Sequence, residues 1–106
     1  MSINAFSFES FEKLSSNKEA ENEAQRKFLD LFPIGSKISD AQKALERAGA
    51  ACQIVHDNED FLYCIYRRRG HGLQFFVGSI EWRVVLWPDS KERISRVEIS
   101  RNMTGF

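Results

Sequence analysis

The change from helix to strand lies within one stretch of the chain, AQKALERAGAACQIV at residues 41–55. Its first half carries apolar residues at the spacing of a single helical face, namely Ala41, Ala44, Leu45 and Ala48. Gly49 follows and predicts a left-handed cap, because glycine adopts that backbone conformation without a steric penalty. From residue 50 the apolar period changes to two, which is typical of strands. The stretch therefore predicts a helical layer followed by a sheet.

An earlier helix is predicted from a capping box, Ser16-Asn17-Lys18-Glu19, in which the serine and the glutamate satisfy each other's backbone amides. Apolar residues recur behind it at helical spacing, namely Ala20, Ala24, Phe28, Leu31 and Phe32. We expect this helix over residues 17–32, because Pro33 disfavours helix in the residue before it. A second capping box, Ser39-Asp40-Ala41-Gln42, is expected to begin the helix that ends at Gly49.

Four strands and a longer connection are predicted in the second half of the chain. The strands are expected at residues 51–56, 61–68, 81–87 and 94–100, with a glycine-containing connection at 69–80. Helices followed by antiparallel strands predict an α+β fold, with two helices packed on one face of a three- to four-stranded antiparallel meander. We expect a single domain made of an N-terminal arm or short helix (1–15), a helical layer (16–49) and an antiparallel sheet (50–101).

The composition is that of a soluble globular domain, with 106 residues of which 42% are hydrophobic and 28% charged. Fifteen basic and fifteen acidic side chains cancel, so nucleic acid is not the expected partner. The charge is nevertheless divided, since residues 67–106 carry eight basic and four acidic side chains. No apolar stretch approaches the roughly 20 residues that span a membrane, so no membrane insertion is expected. The start shows no secretion signal, which predicts a cytoplasmic protein, or a periplasmic one if an export signal has been removed.

The two faces of the last hairpin can be assigned from its turn. A turn centred near residue 90 predicts the pairs Trp82–Ile99, Val84–Val97 and Leu86–Ser95. That face is expected to pack on Phe28, Leu31 and Leu45 of the helices. Alternation then sends the following residues to the opposite, open face: Arg83, Val85, Trp87 and Arg96. Aromatic and arginine side chains are enriched at protein interfaces, so this face is the predicted partner-binding surface.

Two further segments bear on this surface. Phe75 and Phe76, in the 69–80 connection, are too apolar to face solvent and are predicted to join the partner-binding surface. The N-terminal arm carries Phe6, Phe8 and Phe11, which also need a buried position. A competing hypothesis is therefore that the arm folds over the open face and makes it part of the monomer core.

The chain also resembles a known family. The residues that carry the resemblance are Phe32-Pro33-Ile34-Gly35, the helix end Ala48-Gly49-Ala50, Cys52, Tyr63-Cys64 and the aromatic strand Trp82–Leu86. They are similar to the small bacterial α-α-β-β-β domains of the SmpA/OmlA type, outer-membrane-assembly lipoproteins whose fold is shared by the β-lactamase inhibitor protein repeat. The resemblance covers roughly residues 28–101. It implies helices on one face and a concave open sheet used for protein contacts, without catalysis. The chain differs from those lipoproteins in having neither a signal peptide nor a lipidated cysteine near its start.

Cys52 and Cys64 lie on adjacent predicted strands, and a turn centred at residue 58 places them directly opposite each other. They are a candidate disulfide, because that position is within the Cα range that a disulfide spans. The alternative is a pair of buried reduced thiols, which we expect in the cytoplasm.

The run Arg67-Arg68-Arg69, followed by His71 in a glycine-flanked position, is a candidate anion site. Guanidinium groups bind phosphate and carboxylate in a bidentate manner, and upstream tyrosines at 63 and 66 extend the hypothesis to single-stranded RNA. The alternative is a solvated strand end that pairs with the acidic first helix.

We expect neither a catalytic residue nor a metal site nor a cofactor. The two histidines, His56 and His71, are not placed by the sequence beside a cysteine as a base. The acidic turn 57–60 lacks the glycine of an EF-hand loop, because Leu62 stands at the sixth position. The predicted function is a non-enzymatic protein–protein interaction module, inhibitor- or immunity-like, with a protein partner of unknown identity. The expected oligomeric state is a monomer or a weak homodimer.

Overall fold

The computed structural model describes residues 6–11, 16–69 and 79–104 of the chain. Its elements are a 3₁₀ turn Phe8–Phe11, helices α1 Asn17–Leu31 and α2 Ile38–Arg47, and strands β1 Ala51–Val55, β2 Phe61–Arg69, β3 Ser79–Pro88 and β4 Ile94–Thr104. The strands form one sheet in the order β1-β2-β3-β4, and each neighbouring pair is antiparallel. The predicted α+β meander is confirmed.

Helix α1 begins where the first capping box predicts. The Ser16 hydroxyl accepts a hydrogen bond from the Glu19 backbone N–H at 3.3 Å. The face turned to the sheet is buried and consists of Ala20, Ala24 and Phe28. Because two of these residues are alanines, the helix backbone lies close to the strands beneath it. The helix ends at Leu31, one residue before the predicted end.

Helix α2 begins earlier than the second capping box predicts, so that prediction is wrong. The N-cap residue is Lys37, which makes no side-chain cap, and Ser39 lies within the helix. The Ile38 N–H instead donates to the carbonyl oxygen of Glu92 at 3.1 Å, and Lys37 forms a bridge with Arg93. The first helical amide is thus satisfied by the β3–β4 loop, which is remote in sequence.

The end of α2 is the glycine cap that the sequence predicts. Gly49 has a φ of +105°. The N–H groups of Gly49 and Ala50 donate to the carbonyl oxygens of Glu46 and Leu45, both at 3.0 Å. This pair of bonds is the Schellman arrangement, which satisfies carbonyls that the helix itself leaves open. The chain therefore reverses at once, and β1 runs back beside α2.

The register of the last hairpin differs by two residues from the prediction. The observed pairs are Trp82–Arg101, Val84–Ile99 and Leu86–Val97. The loop is longer than expected because the Asp89 carboxylate accepts hydrogen bonds from the N–H groups of Lys91 and Arg93, at 2.8 and 3.0 Å. A bulge follows Trp87. A shift of two residues keeps the side chains before the bulge on their predicted faces, because strands alternate with a period of two. Beyond the bulge the prediction is wrong, since Ile94 is buried in the core and Ser95, expected on the helix side, is exposed.

The core lies between the helices and one face of the sheet. Five of the residues predicted for that face are buried, namely Trp82, Val84, Leu86, Val97 and Ile99, whereas Ser95 is exposed. They form one cluster with Phe28 and Leu45, while Leu31 is partly buried against its edge. The predicted packing of the helices on this face is confirmed.

The N-terminal segment packs on the helix side of the sheet. The Phe8 ring stacks on the Tyr66 ring, with centroids 4.7 Å apart, and the Phe11 ring lies 6.1 Å from that of Trp82. Arg101, which is 1% exposed, donates from Nε to Asn17 Oδ1 at 2.7 Å and from Nη1 to the Phe11 carbonyl at 3.3 Å. The hypothesis that this arm covers the open face is therefore wrong. Among the described residues, no helix is long and apolar enough to cross a membrane.

Candidate protein-binding face

The side chains that point away from the helices form a second face of the sheet, which we call the open face. Its members follow from the register: Ala51, Gln53, Val55, Phe61, Tyr63, Ile65, Arg67, Glu81, Arg83, Val85, Trp87, Arg96, Glu98, Ser100 and Asn102. The described helices and the 3₁₀ turn all pack on the opposite side. The open face contains Arg83, Val85, Trp87 and Arg96, as the sequence predicts.

A stacked pair occupies one end of the open face. Trp87 and Arg96 are direct cross-strand partners, and the Arg96 guanidinium carbon lies 3.8 Å from the centroid of the Trp87 ring. The Phe61 ring, on the neighbouring strand β2, lies 6.0 Å from the Trp87 ring. Trp87 and Phe61 are half-buried while Arg96 is exposed. The pair thus presents a large apolar surface with a positive charge held above it, as cation–π attraction favours.

A carboxylate between two arginines occupies the other end. Glu81 Oε1 accepts a hydrogen bond from Arg67 Nε at 2.8 Å, and Glu81 Oε2 accepts one from Arg83 Nε at 2.6 Å. The Glu81 side chain is 13% exposed, whereas those of Arg67 and Arg83 are 70% and 45% exposed. The hydrogen bond from Arg67, followed by that from Arg83, holds the pKa of Glu81 below its usual value. The bond to Glu81 in turn raises the pKa of Arg83.

Glu81 joins the predicted anion site to the predicted partner-binding surface. Arg67 belongs to the predicted anion site and Arg83 to the predicted partner-binding surface, and both donate to one carboxylate. Glu81 and Phe61 are not among the predicted site residues. Strand alternation is the signal that could have found them, because Glu81 shares the parity of Arg83 and Phe61 shares that of Arg67. Their pairing across strands depends on the β2–β3 register.

The arginine run does not form a single cluster. Arg67 lies on the open face, whereas Arg68 has the opposite parity and is half-buried. The hypothesis that the strand end pairs with the acidic first helix is wrong for Arg67, since its partner is Glu81 of β3. The backbone of Arg69 ends β2, while the side chain of Arg69 and the predicted site residues His71, Phe75 and Phe76 lie outside what the structure describes.

Cys52 and Cys64 are direct cross-strand partners, which confirms the predicted register. Their Cα atoms are 4.0 Å apart and the sulfurs are bonded at 2.07 Å. The structure therefore has a disulfide here, and the expectation of reduced thiols is not met. Both residues belong to the helix side of the sheet, where Cys64 is fully buried.

A groove of about 590 Å³ lies between the start of α2, the β1–β2 hairpin and the β3–β4 loop. Its lining includes Ser39, His56 and Asp60, and the His56 Nδ1 lies 3.1 Å from Asp60 Oδ1. The His56 and Asp60 side chains are 76% and 58% exposed. Within the described ranges, the structure records no nucleophile hydrogen-bonded to His56 and no group of three metal-ligating side chains.

Comparisons with known proteins do not assign the chain to a family. No protein-family model, no curated protein and no solved structure matches the chain. The resemblance to the SmpA/OmlA-type domains therefore gains no support from them and stays a prediction.

Proposed function

We propose that this chain is a non-enzymatic protein-binding module and that its binding surface is the open face. The observation that carries the proposal is the Trp87–Arg96 stack, which lies beside Phe61 on the sheet face opposite the helices. Tryptophan and arginine dominate binding hot spots because they combine large buried area with directional hydrogen bonding. A half-exposed tryptophan in this position is costly in water and gains from being covered.

The arginines of this face are already ordered by contacts within the chain. Arg96 lies against the Trp87 ring, and Arg67 and Arg83 are held through Nε by Glu81. Side chains ordered before binding lose less conformational entropy when a partner arrives. Among the described side chains of this face, three arginines stand against the two carboxylates Glu81 and Glu98. This excess supports a partner whose contacting surface is acidic, and an inhibitor- or immunity-like role is compatible with it.

A photo-crosslinking amino acid tests the proposal in cells of the source organism. With the crosslinker at Val85 on the open face, we expect a discrete protein adduct, and Trp87→Ala should remove it. The matched control places the same crosslinker at Lys43, an exposed residue of α2. Equal adducts from Val85 and Lys43, or an adduct from Val85 that survives Trp87→Ala, would contradict binding at this face.

A second candidate function is binding of an anionic ligand, single-stranded RNA included. The observation in its favour is that Arg67, from the arginine run, and Arg83 lie together on the open face. Glu81 between them weakens the hypothesis, because it neutralises part of their charge. Salt separates the two candidates. Binding to phosphate weakens steeply as salt rises, whereas a protein partner held mainly by the Trp87 surface should lose less affinity over the same range.

The compartment is a further part of the proposal. A closed Cys52–Cys64 disulfide supports an oxidising compartment over the cytoplasm, where thiols are kept reduced. Acid quenching of intact cells, alkylation of free thiols under denaturing conditions and mass spectrometry of the chain test it. An unlabelled pair supports the oxidising compartment, and complete labelling of both cysteines supports the cytoplasm.

A further inference from the structure

The two edges of the sheet differ in whether other parts of the chain bind their outward backbone groups. At the β4 edge, the N–H groups of Ile99 and Arg101 point away from β3. They donate to Gln25 Oε1 at 3.3 Å and to Glu21 Oε2 at 2.7 Å, both on α1. Side chains of α1 therefore occupy the donors of that edge, which prevents another strand from pairing there.

The register shows which backbone groups point outward at the β1 edge. Antiparallel pairs alternate between hydrogen-bonded pairs and closer pairs whose N–H and C=O groups point away from each other. The N–H of Ile99 points away from β3, so Val84–Ile99 is a pair without mutual hydrogen bonds. The pair type alternates from strand to strand across the sheet, so Val84–Cys64 is a hydrogen-bonded pair and Cys52–Cys64 is again a pair without mutual hydrogen bonds. The short Cα separation of 4.0 Å agrees with this. The N–H and C=O groups of Cys52 and Ile54 therefore point out of the sheet.

Within the described part of the chain, the structure records no partner for these outward groups. Two of the devices that protect an edge strand are also missing from β1, because its sequence ACQIV contains neither a charge nor a proline. Ile54 is 63% exposed at this edge. The outward N–H and C=O groups of β1 are spaced as in any strand, so a further extended chain can pair with them.

We propose that β1 pairs antiparallel with β1 of a second copy of this chain, which joins two sheets into one of eight strands. Pairing about Gln53 places the hydrogen-bonding groups of Cys52 against those of Ile54 of the partner subunit. Ala51 then faces Val55 of the partner subunit. A two-fold interface requires a patch that is complementary to itself. In this register the donors and acceptors of the two β1 strands match, and no two charged side chains lie opposite each other.

The second copy fits better than an unrelated strand because the two edges cover each other. Each copy contributes the exposed Ile54 side chain to the same side of the joined sheet, so that an exposed apolar residue on each becomes covered. This inference does not depend on the open face binding a partner.

Sedimentation equilibrium over a dilution series measures the self-association. We expect a reversible dimer, and a chain that stays monomeric at a protomer concentration of about 1 mM would overturn the proposal. Gln53 meets itself across the axis on the open face. Gln53→Lys and Gln53→Glu should therefore each weaken the dimer by about fivefold, since like charges directly opposite are destabilising. An equal mixture of the two variants should associate more tightly than either variant alone.

A proline variant tests the backbone itself. Ile54→Pro removes an outward N–H while leaving the β1–β2 ladder intact, and should weaken the dimer by about thirtyfold. The matched control is Ile34→Lys, which changes another exposed isoleucine, 58% exposed in the turn before α2, and should leave association unchanged. Circular dichroism of each variant checks its folding. A dimer that is unaffected by the Gln53 pair and by Ile54→Pro, or that is weakened only by Trp87→Ala, would overturn pairing through β1.

Discussion

Trp82 and Trp87 lie on the same strand but on opposite faces of the sheet. Trp82 is fully buried beneath the helices, whereas Trp87 is half-buried beneath the Arg96 guanidinium. Strand β3 thus contributes one tryptophan to the core and the other to the open face. This division is the basis of the proposed binding surface, and it can be measured in the isolated chain.

The first prediction concerns the exposure of the two tryptophans. In Trp87→Phe, we expect emission from Trp82 that acrylamide quenches weakly, because that ring is inaccessible. In Trp82→Phe, the remaining Trp87 should be quenched readily, and Arg96→Ala in that background should raise the quenching constant further. Equal shielding of the two tryptophans in a monomeric sample would contradict an open face.

The second prediction concerns the disulfide. Cys52 and Cys64 are separated by 12 residues, and closing a loop of this size stabilises the folded chain by about 3 kcal/mol. Urea unfolding with and without reductant should show a loss of that order. The Cys52→Ala/Cys64→Ala variant is the control, since reductant should not change its midpoint. An unchanged midpoint for the natural chain under reductant would show that the cross-link contributes no stability.

The third prediction concerns the second helix. Leu45 is fully buried against the sheet, and Leu45→Ala should lower the free energy of unfolding by about 2–5 kcal/mol. Lys43→Ala, at an exposed position of the same helix, should change it by less than about 0.5 kcal/mol. Similar small effects from both variants would show that α2 does not cover the sheet.

The fourth prediction compares two glycines with left-handed backbones. Gly35 and Gly49 have φ values of +95° and +105°, so alanine at either position costs about 1–2 kcal/mol of backbone strain. A Cβ at Gly35 meets nothing within 4 Å, whereas one at Gly49 lies 2.9 Å from Tyr66 Cε1. Because Phe8 stacks on that tyrosine ring, the ring has little room to move. Gly49→Ala should therefore destabilise more than Gly35→Ala in thermal or urea unfolding, and equal losses would contradict the contact.

The fifth prediction concerns acid stability. The pKa of Glu81 is lowered in the folded chain, chiefly by the hydrogen bond from Arg67. The ionised form therefore favours folding above the unfolded pKa of about 4.3, and this contribution is lost as pH falls through the folded pKa. Glu81→Gln should make the free energy of unfolding depend less on pH in that window.

Urea unfolding at a series of acidic pH values measures this dependence. The pKa of Asp89 is also lowered, first by its hydrogen bond from the Arg93 amide, so the variant should retain part of the acid loss. Arg67→Met should reduce the dependence more than Arg83→Met, because the bond from Arg67 has the larger effect on Glu81. Parallel pH profiles for the natural chain and Glu81→Gln would contradict the pairing.

The sequence by itself determined the features that depend on neighbours along the chain. The Ser16 cap, the Gly49 reversal and the alternation of β3 are each visible in a few consecutive residues. The position of Cys52 opposite Cys64 follows from a short turn between them. Local periodicity sets which face a side chain occupies, and an error of two residues leaves that face unchanged. This is why the residues of β3 and β4 in the proposed partner-binding surface lie on the predicted face although the predicted register is wrong.

Only the tertiary structure decided the features that depend on groups remote in sequence. Helix α2 begins at Ile38 because Glu92 supplies an acceptor, and the hairpin register follows from the side chain of Asp89 folding back on its own loop. Phe8 lies on Tyr66 rather than on the open face, and it is 1% exposed between elements that are remote in sequence. Arg67 pairs with Glu81 only once β2 and β3 are in register. Such contacts form between elements that folding brings together, so no pattern within a single segment carries them.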